Sequence, residues 1–133
     1  MIQRLTKRAQ FLFVRQGVRA SRPHVLIEAR RRAEGGPIGL GLTASKKVGN
    51  AVVRNRARRR MREAARRLLP ELGLAGVDYV LVARQTTPEA SWTALLDDVG
   101  NALIRLRADL EKGRGRTPGG RAQPRRGAST ESD

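Results

Sequence analysis

Residues 46–67, KKVGNAVVRNRARRRMREAARR, constrain this chain more than any other stretch. Ten of these 22 residues are Lys or Arg, and Glu63 is the only acid. Within that charge Ala57, Met61, Ala64, Ala65 and Leu68 recur at helical spacing, which predicts an amphipathic helix with one buried stripe. Asn55, Arg59, Arg62 and Arg66 line a second face, and Arg56, Arg60 and Arg67, with Glu63 beside them, a third. The preceding SKKVGN reads as a loop. The helix is expected from about Ala51 or Arg54 to Leu69, with Pro70 marking its end. A solvated helix ordinarily alternates acids and bases at i,i+4, whereas like charges at that spacing destabilise it. A face that costs stability points to a partner that neutralises it.

The rest of the chain must supply the core on which this helix lies. A short first helix is expected between Thr6, as N-cap, and Gly17, closing it in the left-handed conformation. Leu5, Ala9, Leu12 and Phe13 form its core face, with Phe11 and Val14 projecting elsewhere. HVLIEA (24–29) alternates, AEGGP follows, and IGLGLT (38–43) alternates again, so these two strands are expected to form an antiparallel hairpin. Ile38, Leu40 and Leu42 share one face of the second strand. The opposite face carries Gly39, Gly41 and Thr43 and admits a close neighbour, with a packed helix the ordinary one. DYVLVA (78–83) reads as a strand. A last helix from about Ser91 to Leu110 carries the stripe Trp92, Leu95, Leu96, Val99, Leu103, Leu106 and Leu110, with Trp92 in packing rather than base stacking. These elements assign residues 1–111 to one domain. Residues 112–133, rich in Gly, Pro and Arg with no apolar period, are expected to be a disordered basic tail.

Composition narrows the function. A net charge of +16 would repel itself in the folded state without a polyanion to neutralise it. Nucleic acid fits. A membrane surface fits poorly, because the sequence has no transmembrane run, no lipidation motif and no basic helix with a Trp/Phe-rich apolar face. The N-terminus lacks the features of a secretory signal, and the absence of cysteine is compatible with a cytoplasmic location. Protein-borne catalysis has little to work with. His24 is the single histidine and sits on a predicted strand, Asp97 and Asp98 diverge on a helix, and no phosphate-binding loop or zinc-ligand spacing occurs. No catalytic residue, metal ligand or small-molecule substrate is expected of the chain itself.

The string GLTASKKVGNAVVRNRARRRMREA resembles the signature of the bacterial ribonuclease P protein subunit family. Ser45, Lys46 and Lys47 end a strand, Gly49 and Asn50 form the loop, and Arg54, Asn55, Arg56, Arg58, Arg59 and Arg62 follow at the family's offsets. FLFV on a first helix and Ala83-Arg84 at a strand end extend the resemblance over roughly residues 4–110. It implies an α+β fold, a single-domain α-β-β-β-α-β-α sandwich like domain 2 of ribosomal protein S5, with a left-handed β-α-β crossover. It also implies that the catalyst is an RNA. The chain would join ribonuclease P RNA and precursor tRNA, and the complex would remove the 5′ leader with Mg²⁺ held mainly by the RNA. Lys46, Lys47, Asn50, Arg54, Asn55, Arg56, Arg58, Arg59, Arg62 and Arg66 are then the RNA-binding candidates, and Asn55 could orient a sugar hydroxyl or a hydrated metal. A cleft between the basic helix and the sheet would hold the leader, with Phe11, Phe13 and Arg15 as candidates. Arg15 and Ile27 stand where the family often has aromatics.

Two other readings share the charge. A general structured-RNA-binding protein, ribosomal or chaperone-like, explains it equally and lacks only the motif string. A DNA-binding protein with 54–69 as recognition helix would need base-reading side chains at the helix start and a dimer interface, and no apolar stripe is spare for one.

Overall fold

The computed structural model describes residues 1–113. The tail expected from residue 112 lies, from residue 114 on, outside the described residues. In chain order the elements are β1 (Ile2–Arg4), α1 (Arg8–Arg15), β2 (Val18–Ser21), β3 (Val25–Arg31), β4 (Ile38–Thr43), α2 (Ala51–Leu72), β5 (Val77–Ala83) and α3 (Trp92–Glu111). From α1 onward this is the expected α-β-β-β-α-β-α order, preceded by a strand the sequence does not announce. The strands form one five-stranded sheet in the order β1-β4-β5-β3-β2. On one face Val25, Ile27, Ala29, Ile38, Leu40, Val77, Tyr79 and Leu81 pack against α2 and α3 in the main core. On the other, Val80 packs with Leu5 and Val14 beneath α1.

The expected hairpin between β3 and β4 does not form. β5 lies between them, antiparallel to β3 from Val25↔Ala83 to Arg31↔Val77 and parallel to β4 from Gly39↔Asp78 to Thr43↔Val82. Turn residues between two strands suggest a hairpin, but β5 is buried along nearly its whole length on both faces and therefore belongs in the centre of the sheet. Arg32 holds the β3–β4 connection: its guanidinium donates to Gly35 O and Pro37 O and pairs with the buried Asp78 carboxylate. Burial holds the Asp78 carboxyl above its ordinary value, against a smaller opposing pull from the Arg32 hydrogen bond and charge.

α1 turns a different side to the sheet than expected. Val14 is buried, Phe11 is partly buried, and Ala9 and Leu12 are exposed. Counting Leu5 as a helical residue sets the wrong phase, because Leu5 precedes the helix and is buried from the β1–α1 connection. The N-cap is Lys7 rather than Thr6, and Gln10 Oε1 accepts from both of their backbone N–H groups. Gly17 is not left-handed. Its requirement is space, since a Cβ there would lie 2.1 Å from Ala29 O.

α2 is capped by Asn50, whose Oδ1 accepts from Val53 N at 3.0 Å, and it buries Ala57, Met61, Ala64, Ala65 and Leu69. Pro70 does not end it. A proline so close to the C-terminus removes one backbone bond, and the helix closes at Leu72, where Gly73 N donates to Leu69 O. α3 starts at the expected Ser91 cap and buries Leu95, Val99, Leu103, Leu106 and Leu110, with Trp92 and Leu96 packed at the margin. Among the described residues no helix is long and apolar enough to cross a membrane.

Candidate nucleic-acid interface

α2 carries eight arginines against two glutamates, Glu63 and Glu71, and has no acid in its first turn. The structure sorts these arginines by what they touch. Arg58, Arg62 and Arg66, four residues apart on one row, overhang a groove of about 240 Å³. Its remaining lining is Ile2 and Arg4 of β1, Leu5, Phe11 of α1, and Leu40, Gly41 and Leu42 of β4. The Phe11 ring lies over Gly41, where a Cβ would approach it to 2.7 Å. The nearly bare glycine face of β4 thus admits an aromatic side chain from α1, with Leu5 beside it and Asp78 against Gly39. The result is an apolar floor with one aromatic, rimmed by four guanidinium groups.

Arg59 is exposed, and Arg59, Arg62 and Arg66 make no hydrogen bond or ion pair among the described residues. Arg58 Nη2 donates to Asn55 Oδ1 at 2.7 Å. That bond engages the Asn55 carbonyl oxygen and leaves the amide N–H groups of this exposed side chain as donors for an incoming phosphate or sugar oxygen. It weighs against Asn55 holding a hydrated metal, because metal-bound waters need acceptors. Arg54 is half-buried, its Nε without a partner. Lys46 and Lys47 are exposed in the turn before the helix. Asn50 has a structural task already as the N-cap.

The third face is not a free ring of charge. Arg60 donates to Thr87 O at 2.7 Å, Pro88 O at 2.9 Å and Ala90 O, clamping the turn between β5 and α3. Arg67 pairs with Glu63 at 3.1 Å and lies over the Trp92 ring, so Trp92 is edge packing. Arg56 pairs with Glu89 at 2.8 Å.

The leader candidates separate in the same way. Phe11 lines the groove. Phe13 does not: it packs with Leu5, Val14 and Val80, and its ring lies under the Arg30 guanidinium, 4.3 Å from the centroid. Arg30 also donates to Phe13 O, tying α1 to β3. Arg15 is exposed at the end of α1. Ile27 is fully buried on the face covered by α2 and α3 and does not line the groove. Arg4 joins the site from a strand of three residues, too short for alternation to register in the sequence.

His24 is structural. Its backbone N–H donates to Asp98, its ring bonds Thr86 Oγ1 at 2.8 Å, and its carbonyl accepts from Thr87. Among the described residues no group of three or more His, Cys, Asp or Glu is placed to hold a metal ion.

Fold and surface together define a small α+β protein built to bind a polyanion along one helix. The chain belongs to the ribonuclease P protein family, whose model, described as Ribonuclease P, matches residues 2–107. It is 48% identical over 112 residues to the ribonuclease P protein component of Caulobacter vibrioides, covering 84% of this chain and 75% of that protein. To that of Ruegeria pomeroyi it is 47% identical over 107 residues, covering 78% and 86%. The solved RNase P protein of Staphylococcus aureus is similar in fold, with a TM-score of 0.67 at 24% identity over 78% of this chain and 94% of that one. The Thermotoga maritima RNase P protein gives 0.66 at 24% identity, over 77% and 96%.

Proposed function

We propose that this chain works as the protein component of ribonuclease P, a ribonucleoprotein endonuclease that processes tRNA, with the chemistry carried by the RNA. The row Arg58, Arg62 and Arg66 on α2, without an ion pair among the described residues and beside an aromatic-floored groove, carries this reading. Arginines with no carboxylate beside them are free to exchange counterions for phosphates, which gives strong, salt-sensitive affinity, and their planar forks bind phosphate bidentately. The outer face of α2, with Arg59, Asn55, Lys46 and Lys47, is assigned to ribonuclease P RNA. The groove under Arg58, Arg62 and Arg66 is assigned to the single-stranded 5′ leader of precursor tRNA, with Phe11 stacking on one base. Arg15 serves the leader as an outlying positive charge, while Phe13 acts through packing alone.

Among the described residues no carboxylate cluster is placed to hold Mg²⁺, and in this reading the metal is held by the RNA. Mg²⁺ would supply charge neutralisation and an activated water there, while this chain neutralises nearby phosphates and lowers the Mg²⁺ needed. The setting is cytoplasmic.

The test is reconstitution. Protein, cognate ribozyme RNA and a 5′-labelled precursor tRNA are combined at low, near-physiological Mg²⁺. Cleavage at the mature 5′ end only when protein and RNA are both present is expected. Tight, salt-sensitive RNA binding without rescue of cleavage would leave a general RNA-binding protein.

A further inference from the structure

Six arginines of α2 are candidates for RNA binding, and Arg56 alone among them carries an ion pair among the described residues. Its partner, Glu89, is not on the helix. It sits in the turn between β5 and α3, its side chain 78% exposed, with its carboxylate 2.8 Å from Arg56 Nη1. The turn is built to keep it there. Arg60, one helical turn beyond Arg56, donates to the carbonyls of Thr87, Pro88 and Ala90, which flank Glu89 on both sides. Thr87 is fully buried, accepts from Arg84 N and donates to His24 O, and Thr86 O accepts from the N–H groups of Glu89 and Ala90.

The Arg56–Glu89 pair itself is not needed to hold this turn. Exposed pairs contribute little to stability, and Arg60 and Thr87 already fix the backbone. Its cost falls on ligand binding instead. A phosphate approaching Arg56 must displace an internal anion that cannot diffuse away, and it then lies close to that carboxylate. A polyanion with arbitrarily spaced phosphates meets this penalty, whereas a partner whose backbone bypasses Glu89 does not. Specificity is a difference of affinities, and a fixed repulsive group is one way to enlarge it.

We infer that Glu89, held by the Arg60 clamp, is a specificity-determining residue that disfavours non-cognate polyanions at the Arg56 end of the RNA-binding face. The inference rests on the function proposed above.

The experiment compares full-length protein with Glu89→Gln, which keeps side-chain shape and removes the charge. Affinities for ribonuclease P RNA and for an unrelated structured RNA of equal length are measured across a salt series, with thermal unfolding as a control for folding. The expected result is that Glu89→Gln binds the unrelated RNA about fivefold tighter, the size of a close repulsion in water. For that RNA the slope of log affinity against log salt steepens by up to about one, and the cognate affinity changes less than about twofold. An equal gain for both RNAs, no change for either, or loss of cognate binding overturns the inference. A parent protein with no preference for ribonuclease P RNA overturns the proposed function itself, and this inference with it.

Discussion

α2 and α3 are helices of 22 and 20 residues on the same face of one sheet, and they are charged in opposite ways. α2 has eight arginines against two glutamates, whereas α3 has two arginines, Arg105 and Arg107, against four acids. In α3 those arginines are satisfied locally, Arg105 by Asp109 and Arg107 by Glu111, both at i,i+4 and 3.4 Å. In α2 the row Arg58, Arg62 and Arg66 sets like charges at that spacing with no acid among them. α3 is therefore organised for folding: a broad leucine stripe on the core and ion pairs outside. α2 keeps only a narrow alanine-rich stripe against the core and leaves its charge unbalanced. The stability lost to self-repulsion is recovered when RNA binds, which makes the helix both a structural element and an incomplete half of an interface.

The comparison can be broken at several points. Replacing Arg58, Arg62 and Arg66 together by Glu should weaken ribonuclease P RNA binding by about a thousandfold or more, since phosphate neutralisation dominates affinity. The folded protein should change little in stability, because the three glutamates repel one another along the row as the arginines did but gain opposite charges in Arg54 and Arg59; filter binding and thermal unfolding read the two effects. In α3, Leu106→Ala should cost about 2–5 kcal/mol of stability by denaturant titration, with the affinity of the remaining folded fraction unchanged. Arg60→Ala sharpens the contrast within α2. Though an arginine on the basic helix, it should cost about 1.5–3 kcal/mol of stability through its carbonyl bonds and leave the salt dependence of RNA binding as it was. The smallest effect is expected for Arg105→Ala, which removes an i,i+4 pair between an exposed arginine and the largely buried Asp109, worth about 1 kcal/mol or less, and should not touch RNA affinity. A large loss of affinity there would mean that α3 also faces the RNA.

Much of this architecture is legible in the sequence where the signal is local. The strands near 24–29, 38–43 and 78–83 and both long helices lie where periodicity places them, α2 running past Pro70 to Leu72, because alternation and the 3.6-residue period reflect burial directly. Pairing is less legible. β5 separates β3 and β4 by pairing residues such as Val25 and Ala83, which nothing within the 24–43 segment can announce. The edge strands β1 and β2 have three and four residues, too few to show a pattern, so Arg4 and the far wall of the groove stay hidden until the chain folds. At the site, the motif identifies the basic helix but not the division of labour on it. Arg59 and Arg60 are adjacent and chemically identical in sequence. One is open to solvent, and the other is spent on the carbonyls of residues 87, 88 and 90. That difference arises from a turn 27 or more residues away, and only the folded chain reveals it.

The central claim is that the Arg58, Arg62 and Arg66 row of α2 binds RNA by exchanging counterions. Its most direct test is the slope of log affinity against log salt for ribonuclease P RNA bearing a bound precursor tRNA, measured with the parent protein and with Arg58, Arg62 and Arg66 all replaced by Ala. The account predicts that the slope becomes shallower by about two to three, at roughly 0.7–0.9 for each phosphate no longer neutralised, with thermal stability retained. An unchanged slope in a folded triple variant would contradict it and place the interface elsewhere on the molecule.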